Sequence, residues 1–483
     1  MASTIHSAAL VGIDAVPVDV EADIAQGLPN FVIVGLPDTA VQESKERIKT
    51  ALKNGGLPFP RTRLTVNLAP ADIKKEGPAY DLPIAVAILQ AGGLVPPANG
   101  TKRLFVGELG LDGGLRPVHG TLAVALMAAH CGYEELYVPK DNAGEATLAS
   151  GISVFAITSL PELMRHLAGT APMTPVAPRA WPQANVGMTD FDFAAIAGQL
   201  HAKRALEIAA AGGHNVLLSG PPGSGKTILA RALPTILPTM SREEVLEVTK
   251  IASISGAMRG DAGVIAERPF RAPHHTASGV ALIGGGTWPK PGEVSLAHRG
   301  VLFLDEFPEF SRSTLENLRQ PLEDGVVTVS RANGTVRFPA KFMLIAAQNP
   351  CPCGFATDPE RVCSCTAAQV LRYGRKVSGP LLDRIDLHVE VPKTKVGDLL
   401  GTASAEPSAA IRSRVQKARD RQHGRLKELG IYTNAEMRHA QLKRLCPLPV
   451  DADELLKTAA ERLKLSARAI MRVIKLGRTI ADL

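Results

Sequence analysis

One run constrains this chain more than any other: Val216-Leu-Leu-Ser-Gly-Pro-Pro-Gly-Ser-Gly-Lys-Thr227. Apolar strand formers lead into a glycine-rich turn and then a helix start. Gly220, Gly225, Lys226 and Thr227 fit the phosphate-loop pattern G-x-x-x-x-G-K-T. The glycines let the segment Gly220, Pro221, Pro222, Gly223, Ser224, Gly225 curl so that backbone N–H groups face a polyphosphate. The helix that follows turns its positive end toward the same phosphates. Lys226 then reaches the β- and γ-phosphates, and the Thr227 hydroxyl takes a place on Mg²⁺. ATP and Mg²⁺ are the cofactors this predicts, on an α/β fold.

The loop predicts partners elsewhere in the chain. Val301-Leu-Phe-Leu304 reads as a buried strand ending in Asp305-Glu306, 78 residues after Thr227 (305 − 227). Asp305 is expected to help hold Mg²⁺ and Glu306 to polarise the attacking water. A second apolar run, Phe342 to Ala347, ends in Gln348-Asn349, which puts an amide at the end of a further strand. Val326 to Arg331 and Thr335 to Phe338 read as a β-hairpin around Asn333-Gly334. Its arms carry Arg331 and Arg337, as a pore loop or an ordinary surface hairpin. His274 and His275 are adjacent, and without further ligands nearby they read as structural or contact residues.

Cys351, Cys353, Cys363 and Cys365 fall within 15 residues (351 to 365 inclusive). Their number fits a four-thiolate zinc site. Their C-x-C spacing is tighter than the common knuckle, so zinc and reduced structural thiols both stay open. Cysteines so clustered do not resemble a disulfide framework, and a reducing cytoplasm is the expected location. No apolar run reaches the length of a membrane span, so no membrane partner is expected.

At 483 residues the chain has room for several domains. The expected division is 1–168, a mixed α/β block, and 169–188, a Pro-rich linker. An ATPase core follows at 189–395, then a helical C-terminal lid at 396–483. Net charge is +7, which permits an anionic partner such as nucleic acid. Aromatic residues are 4% of the chain, too few for base-stacking platforms. Ile411 to Gly430 holds seven Lys/Arg against two acids, read as a solvated face or a phosphate contact.

Several stretches carry family resemblances. Glu76-Gly-Pro-Ala-Tyr-Asp81 with Val106-Gly-Glu-Leu-Gly-Leu-Asp-Gly-Gly-Leu-Arg-Pro-Val118 resembles the proteolytic domain of Lon proteases. That family uses a serine after Gly-Pro and a downstream lysine; here Ala79 and Leu122 occupy those positions. Lacking nucleophile and base, the block is expected to be a non-proteolytic Lon-like α+β assembly platform. Leu381-Leu-Asp-Arg-Ile-Asp386 resembles the arginine-finger segment of MCM helicases and magnesium chelatases. Arg384 is then the candidate finger, or else an ion-pair partner of Asp383 or Asp386. Leu465 to Leu483 resembles a lid helix carrying the second sensor, with Ser466 as N-cap and Arg468 as the sensor. Asn349 fits the first sensor.

Taken together the chain resembles the ComM (YifB) family of magnesium chelatase-like AAA+ ATPases. The resemblance implies an AAA+ P-loop core with a helical lid behind the Lon-like domain. It also implies a homo-hexameric, ATP-driven helicase promoting DNA branch migration in recombination and natural transformation, with a recombinase or loader protein as a further partner. The alternative is a chelatase-type motor that remodels a protein partner for metal insertion.

Overall fold

A computed structural model describes residues 2–98, 100–178, 181, 191–258, 263–286, 289–331, 334–358, 360–394 and 406–483. Most of the expected linker's second half, the hairpin residue Asn333 and the start of the expected lid lie outside this set. The chain divides into two compact units, one of residues 1–183 and 245–265, the other of 184–244 and 266–483. Residues 245–265 thus belong to the first unit although they lie within the ATPase region of the sequence.

The first unit is built on a seven-stranded mixed sheet. Its strands run in the order Asn30–Val34, Arg63–Ala69, Asp14–Ala25, Ser3–Val11, Arg103–Phe105, Glu135–Pro139, Ser153–Ile157. Alternation explains the second of these: along Arg63–Ala69, Leu64, Val66 and Leu68 are buried while the residues between them are less so. Helix Thr39–Asn54 is capped by Asp38, whose carboxylate accepts from the Val41 N–H at 2.8 Å. Helix Asp81–Ala91 buries all of its first nine residues, so it reads as an apolar run without a polar face. Asp81 at its start is 0% exposed and receives a bidentate bond from Arg47 (2.8 and 3.0 Å). Burial still dominates and pushes its carboxyl up to about 6.

Ala79 sits in the short turn Pro78–Tyr80, and Leu122 is completely buried in helix Thr121–His130. Within this unit residues 245–265 are tied down by Gly120 N–H to the Ser253 carbonyl (3.2 Å) and by Lys250 to Asp14 (2.5 Å).

The second unit holds a five-stranded parallel sheet in the order Phe270–Arg271, Val301–Leu304, Met343–Gln348, Val216–Ser219, Leu387–Glu390. The Val301 and Met343 strands are buried almost throughout, as continuous apolar runs in a parallel sheet must be. Helix Leu200–Gly212 precedes the phosphate-loop strand and stops at Gly213, whose φ of 73° is the left-handed cap conformation. After the acid pair come two short helices, Arg312–Glu316 and Arg319–Asp324. Pro321 has no N–H to continue a longer ladder.

Helix Ser408–Leu426 buries Ile411, Val415 and Ala418 in the same core as Val216, Leu218 and Ile345. Of the seven basic residues between Ile411 and Gly430, expected as a solvated face or a phosphate contact, four have partners within the protein. Arg414 pairs with Glu207 and Glu406, and Arg419 donates to the carbonyls of Ala210 and Ala211. Arg421 donates to the Asp482 carbonyl, and Arg425 pairs with the Asp482 side chain. Arg414 and Arg419 tie this helix to Leu200–Gly212, and Arg421 and Arg425 tie it to the last helix, Ala467–Asp482. Among the described residues no helix is long and apolar enough to cross a membrane.

Candidate functional site

The parallel register collects the site. Ser219 stands opposite Gln348, so Gly220 and Asn349 leave adjacent strands side by side. Leu304 stands opposite Ala346 on the other flank, and Asp305 follows it. Polar residues therefore emerge together at the carboxyl ends of three neighbouring strands, where open α/β sheets bind ligands.

The phosphate loop has the shape its glycines predict. Gly223 and Gly225 take φ of 76° and 92° with open space where a Cβ would stand. At Gly220 a Cβ would lie 2.1 Å from the Val391 carbonyl oxygen, so only glycine fits. Lys226 opens helix Lys226–Ala232 and curls back over the loop. Its Nζ donates to the carbonyls of Gly220 (2.7 Å) and Pro221 (2.9 Å) and to Asn349 Oδ1 (3.3 Å). Burial pulls its pKa down, while Asp305 works against that shift. The Ser224 hydroxyl is buried without a partner. A loop of open glycine positions, a buried ammonium held only by weak neutral acceptors and an orphan hydroxyl together fit a polyphosphate. Thr227 Oγ1 donates to Asp305 Oδ2 at 2.8 Å, which brings the two expected Mg²⁺ residues into contact.

Glu306 follows with φ of 50°, a conformation that costs a non-glycine residue energy. Its carboxylate meets His275 Nδ1 at 2.9 Å. His275 in turn lies tilted against His274, ring centroids 4.1 Å apart. The sequence reading left both histidines as structural or contact residues. The pairing of one of them with the expected base was not visible, because 31 positions (306 − 275) separate the two.

Arg384 and Arg468 lie in a different cluster. Both donate to Glu323, Arg468 at 3.0 Å, and Arg384 also donates to the Pro380 carbonyl. Neither Asp383 nor Asp386 takes Arg384: Asp386 instead accepts from the Asn215 backbone and faces His214. The two arginines line a cleft of about 530 Å³ together with Arg472 and Lys475. Ser466 caps the Arg468 helix by accepting from the Ala469 N–H at 3.2 Å. In the hairpin Val326–Arg331 and Gly334–Pro339, Val327, Val329 and Phe338 are buried and Arg337 is exposed.

The four clustered cysteines meet: all four sulfurs lie within 4.8 Å of one another and none is in a disulfide.

Strand order, phosphate loop and acid pair define a magnesium chelatase-like AAA+ ATPase. Three family models agree, described as magnesium chelatase subunit ChlI (residues 192–399), subunit ChlI of Mg-chelatase (20–142) and the ChlI C-terminal region (405–483). The chain is 44% identical to Competence protein ComM of Haemophilus influenzae, over 99% of this chain and 93% of that protein. It is 42% identical to YifB of Escherichia coli, over 100% of this chain and 93% of that protein. A shorter match, 30% identical, joins 37% of this chain to 56% of the magnesium-chelatase 38 kDa subunit of Rhodobacter capsulatus. The chain belongs to the ComM (YifB) family.

Proposed function

We propose that this protein is an ATP-driven ring motor acting on DNA, a helicase of branch migration in homologous recombination and natural transformation. The observation that carries the motor reading is the separation of two charge clusters. Lys226, Thr227, Asp305 and Asn349 meet at the phosphate loop, and Glu306 directly follows Asp305. Arg384 and Arg468 converge on Glu323 and bond to none of those five. Guanidiniums so placed serve a nucleotide held by another copy of the chain, which calls for a ring, a homo-hexamer in this reading.

In that ring the phosphate-loop N–H groups and Lys226 bind and orient the triphosphate. Thr227 and Asp305 would hold Mg²⁺, which supplies charge neutralisation at the phosphate oxygens. Glu306 takes the proton of the attacking water, and Asn349 orients that water or the terminal phosphate. The neighbour's Arg384 and Arg468 counter the charge that develops on the transferred phosphoryl group.

DNA as the track is supported by the name of the Haemophilus relative, by the net charge of +7 and by the exposed Arg337 on the hairpin. A recombinase or loader protein is the further partner of this reading, and the cytoplasm its location. The first unit, Lon-like in its motifs but with Ala79 and Leu122 in place of nucleophile and base, serves as a platform for assembly. The chelatase family models favour a second reading, a motor that remodels a protein partner for metal insertion.

One experiment separates the two. ATP hydrolysis and strand exchange are measured on three- and four-stranded junctions, with linear duplex as comparison. Junction-stimulated hydrolysis with strand movement is expected. Turnover indifferent to every DNA tested would overturn the DNA motor in favour of the protein-remodelling one.

A further inference from the structure

The cysteine cluster has no part in the chemistry above, yet it is placed beside it. Cys351 Sγ lies 3.3 Å from Cys353 Sγ and 3.7 Å from Cys363 Sγ, and the Cys353–Cys363 separation is 3.5 Å. A zinc ion with four sulfurs at about 2.3 Å in a tetrahedron sets the sulfurs about 3.8 Å apart. A disulfide would need about 2.0 Å. Spacings of 3.3 to 3.7 Å, with all four sulfurs inside 4.8 Å, match the first figure and not the second. They are also too compact to surround a polynuclear iron–sulfur cluster. The Cys365 N–H donates to Cys363 Sγ at 3.4 Å, the kind of backbone support that orients a metal thiolate.

The cluster is joined to the nucleotide site at two points. Cys351, fully buried, stands two residues after Asn349, whose side chain accepts from Lys226. Gly354, at φ of 85°, packs so closely on the phosphate loop that a Cβ there would lie 2.6 Å from Pro222.

We propose that Cys351, Cys353, Cys363 and Cys365 bind one structural zinc ion, and that this ion holds the loop after Asn349 against the phosphate loop. Four thiols give up their protons as they ligate Zn²⁺, and no electrons are transferred. Among the described residues the rest of the loop is held mainly by short-range bonds: Gly354 N–H to the Cys351 carbonyl (3.0 Å), Asp358 N–H to the Phe355 carbonyl (3.1 Å), and the Asp358 carboxylate accepting from the Glu360 and Arg361 N–H groups (2.8 and 3.1 Å). Arg361 also lies over the Phe355 ring at 5.1 Å, and Glu360 pairs with Lys393. Loss of the ion would free Asn349 to shift, and ATP turnover would fall. The metal assignment stands on the sulfur geometry alone, while the coupling to turnover rests on the ATPase reading above.

Elemental analysis of the full chain, purified under reducing conditions without chelator, tests the first part. About one zinc per chain is expected, released by a mercurial and lost in the double variant Cys363→Ser/Cys365→Ser. Cys131→Ser/Cys446→Ser should keep it. Replacement by Co²⁺ should give the intense visible bands of a tetrahedral thiolate. Sub-stoichiometric zinc in wild type together with a featureless cobalt spectrum would overturn the site, whatever the ATPase does.

For the second part, turnover and binding of a fluorescent ATP analogue are compared before and after metal removal, with circular dichroism as a check on folding. A roughly ten- to hundredfold loss of kcat with less change in nucleotide affinity is expected. Unchanged kcat in verified metal-free, folded protein would overturn the coupling and leave the ATPase assignment intact. If the double variant does not fold, mercurial release and re-addition of zinc to wild-type protein carry the same comparison.

Discussion

The two units of this chain use the same materials to different ends. Each has a sheet with parallel strands, apolar helices packed on it and a motif in which glycine precedes the site of interest. In the first unit the turn after Gly77 presents Ala79, and helix Thr121–His130 presents Leu122, completely buried. In the second, the turn after Gly220 leads to Lys226 and Thr227, and adjacent strands bring Asp305 and Asn349 to meet them. Fold alone does not confer chemistry. The contrast lies in which side chains each fold brings together.

If chemistry is confined to the second unit, substitutions there should dominate every kinetic readout. Arg384→Ala is expected to bind ATP and lose about 10³-fold or more in turnover. Rings doped with this variant should lose activity faster than in proportion to its fraction, and a strictly proportional loss would argue against a role in trans. Glu306→Gln should cost about 10² to 10⁴ in kcat with nucleotide affinity kept; normal turnover would remove Glu306 from the mechanism.

The converse applies to the first unit. The pair Ala79→Ser/Leu122→Lys should gain no peptidase activity on casein, because an ammonium at a fully buried position costs several kcal/mol and unfolds the helix first. Cleavage of casein by that variant would erase the contrast between the units.

Asp81 supplies a pH test of the same unit. Its carboxyl is raised to about 6, above the value of an unfolded carboxylate. Between about pH 4 and 6 the unfolded chain ionises there and the folded one does not, so stability falls as pH rises, by about 2 to 3 kcal/mol. Hydrogen exchange of the Asp81–Ala91 amides should report this fall, and Asp81→Asn should flatten it.

The smallest effect is expected at Glu323→Gln, which removes the half-exposed carboxylate that both Arg384 and Arg468 meet. Such pairs are worth about 1 kcal/mol or less, so unstimulated hydrolysis should rise by at most about fivefold. A fall instead would make Glu323 a support for the arginines and not a competitor for them.

What could be seen in advance follows from distance along the chain. The phosphate loop, both strand-end acids and Asn349 were legible because each is a local pattern, an apolar run ending in a fixed residue type. The Ser466 cap was legible for the same reason. The hold of His275 on Glu306 and of Glu323 on Arg384 was not, since those pairs are made by folding across 31 and 61 positions (306 − 275 and 384 − 323). The basic helix misled for a related reason. Composition counts charges, but whether Arg419 or Arg425 faces water depends on which carbonyls and carboxylates the C-terminal helices bring to it.

The first unit takes its last piece from beyond the phosphate loop, so the chain passes between units three times, near residues 183, 244 and 265. No single cut therefore yields either half intact. A fragment ending near residue 183 would lack Ser253 and Lys250, the anchors for Gly120 and Asp14. A fragment beginning there would carry residues 245–265 with nothing to bury Ile251 and Ala252. During synthesis the first unit must wait, incomplete, until the phosphate loop has already been made.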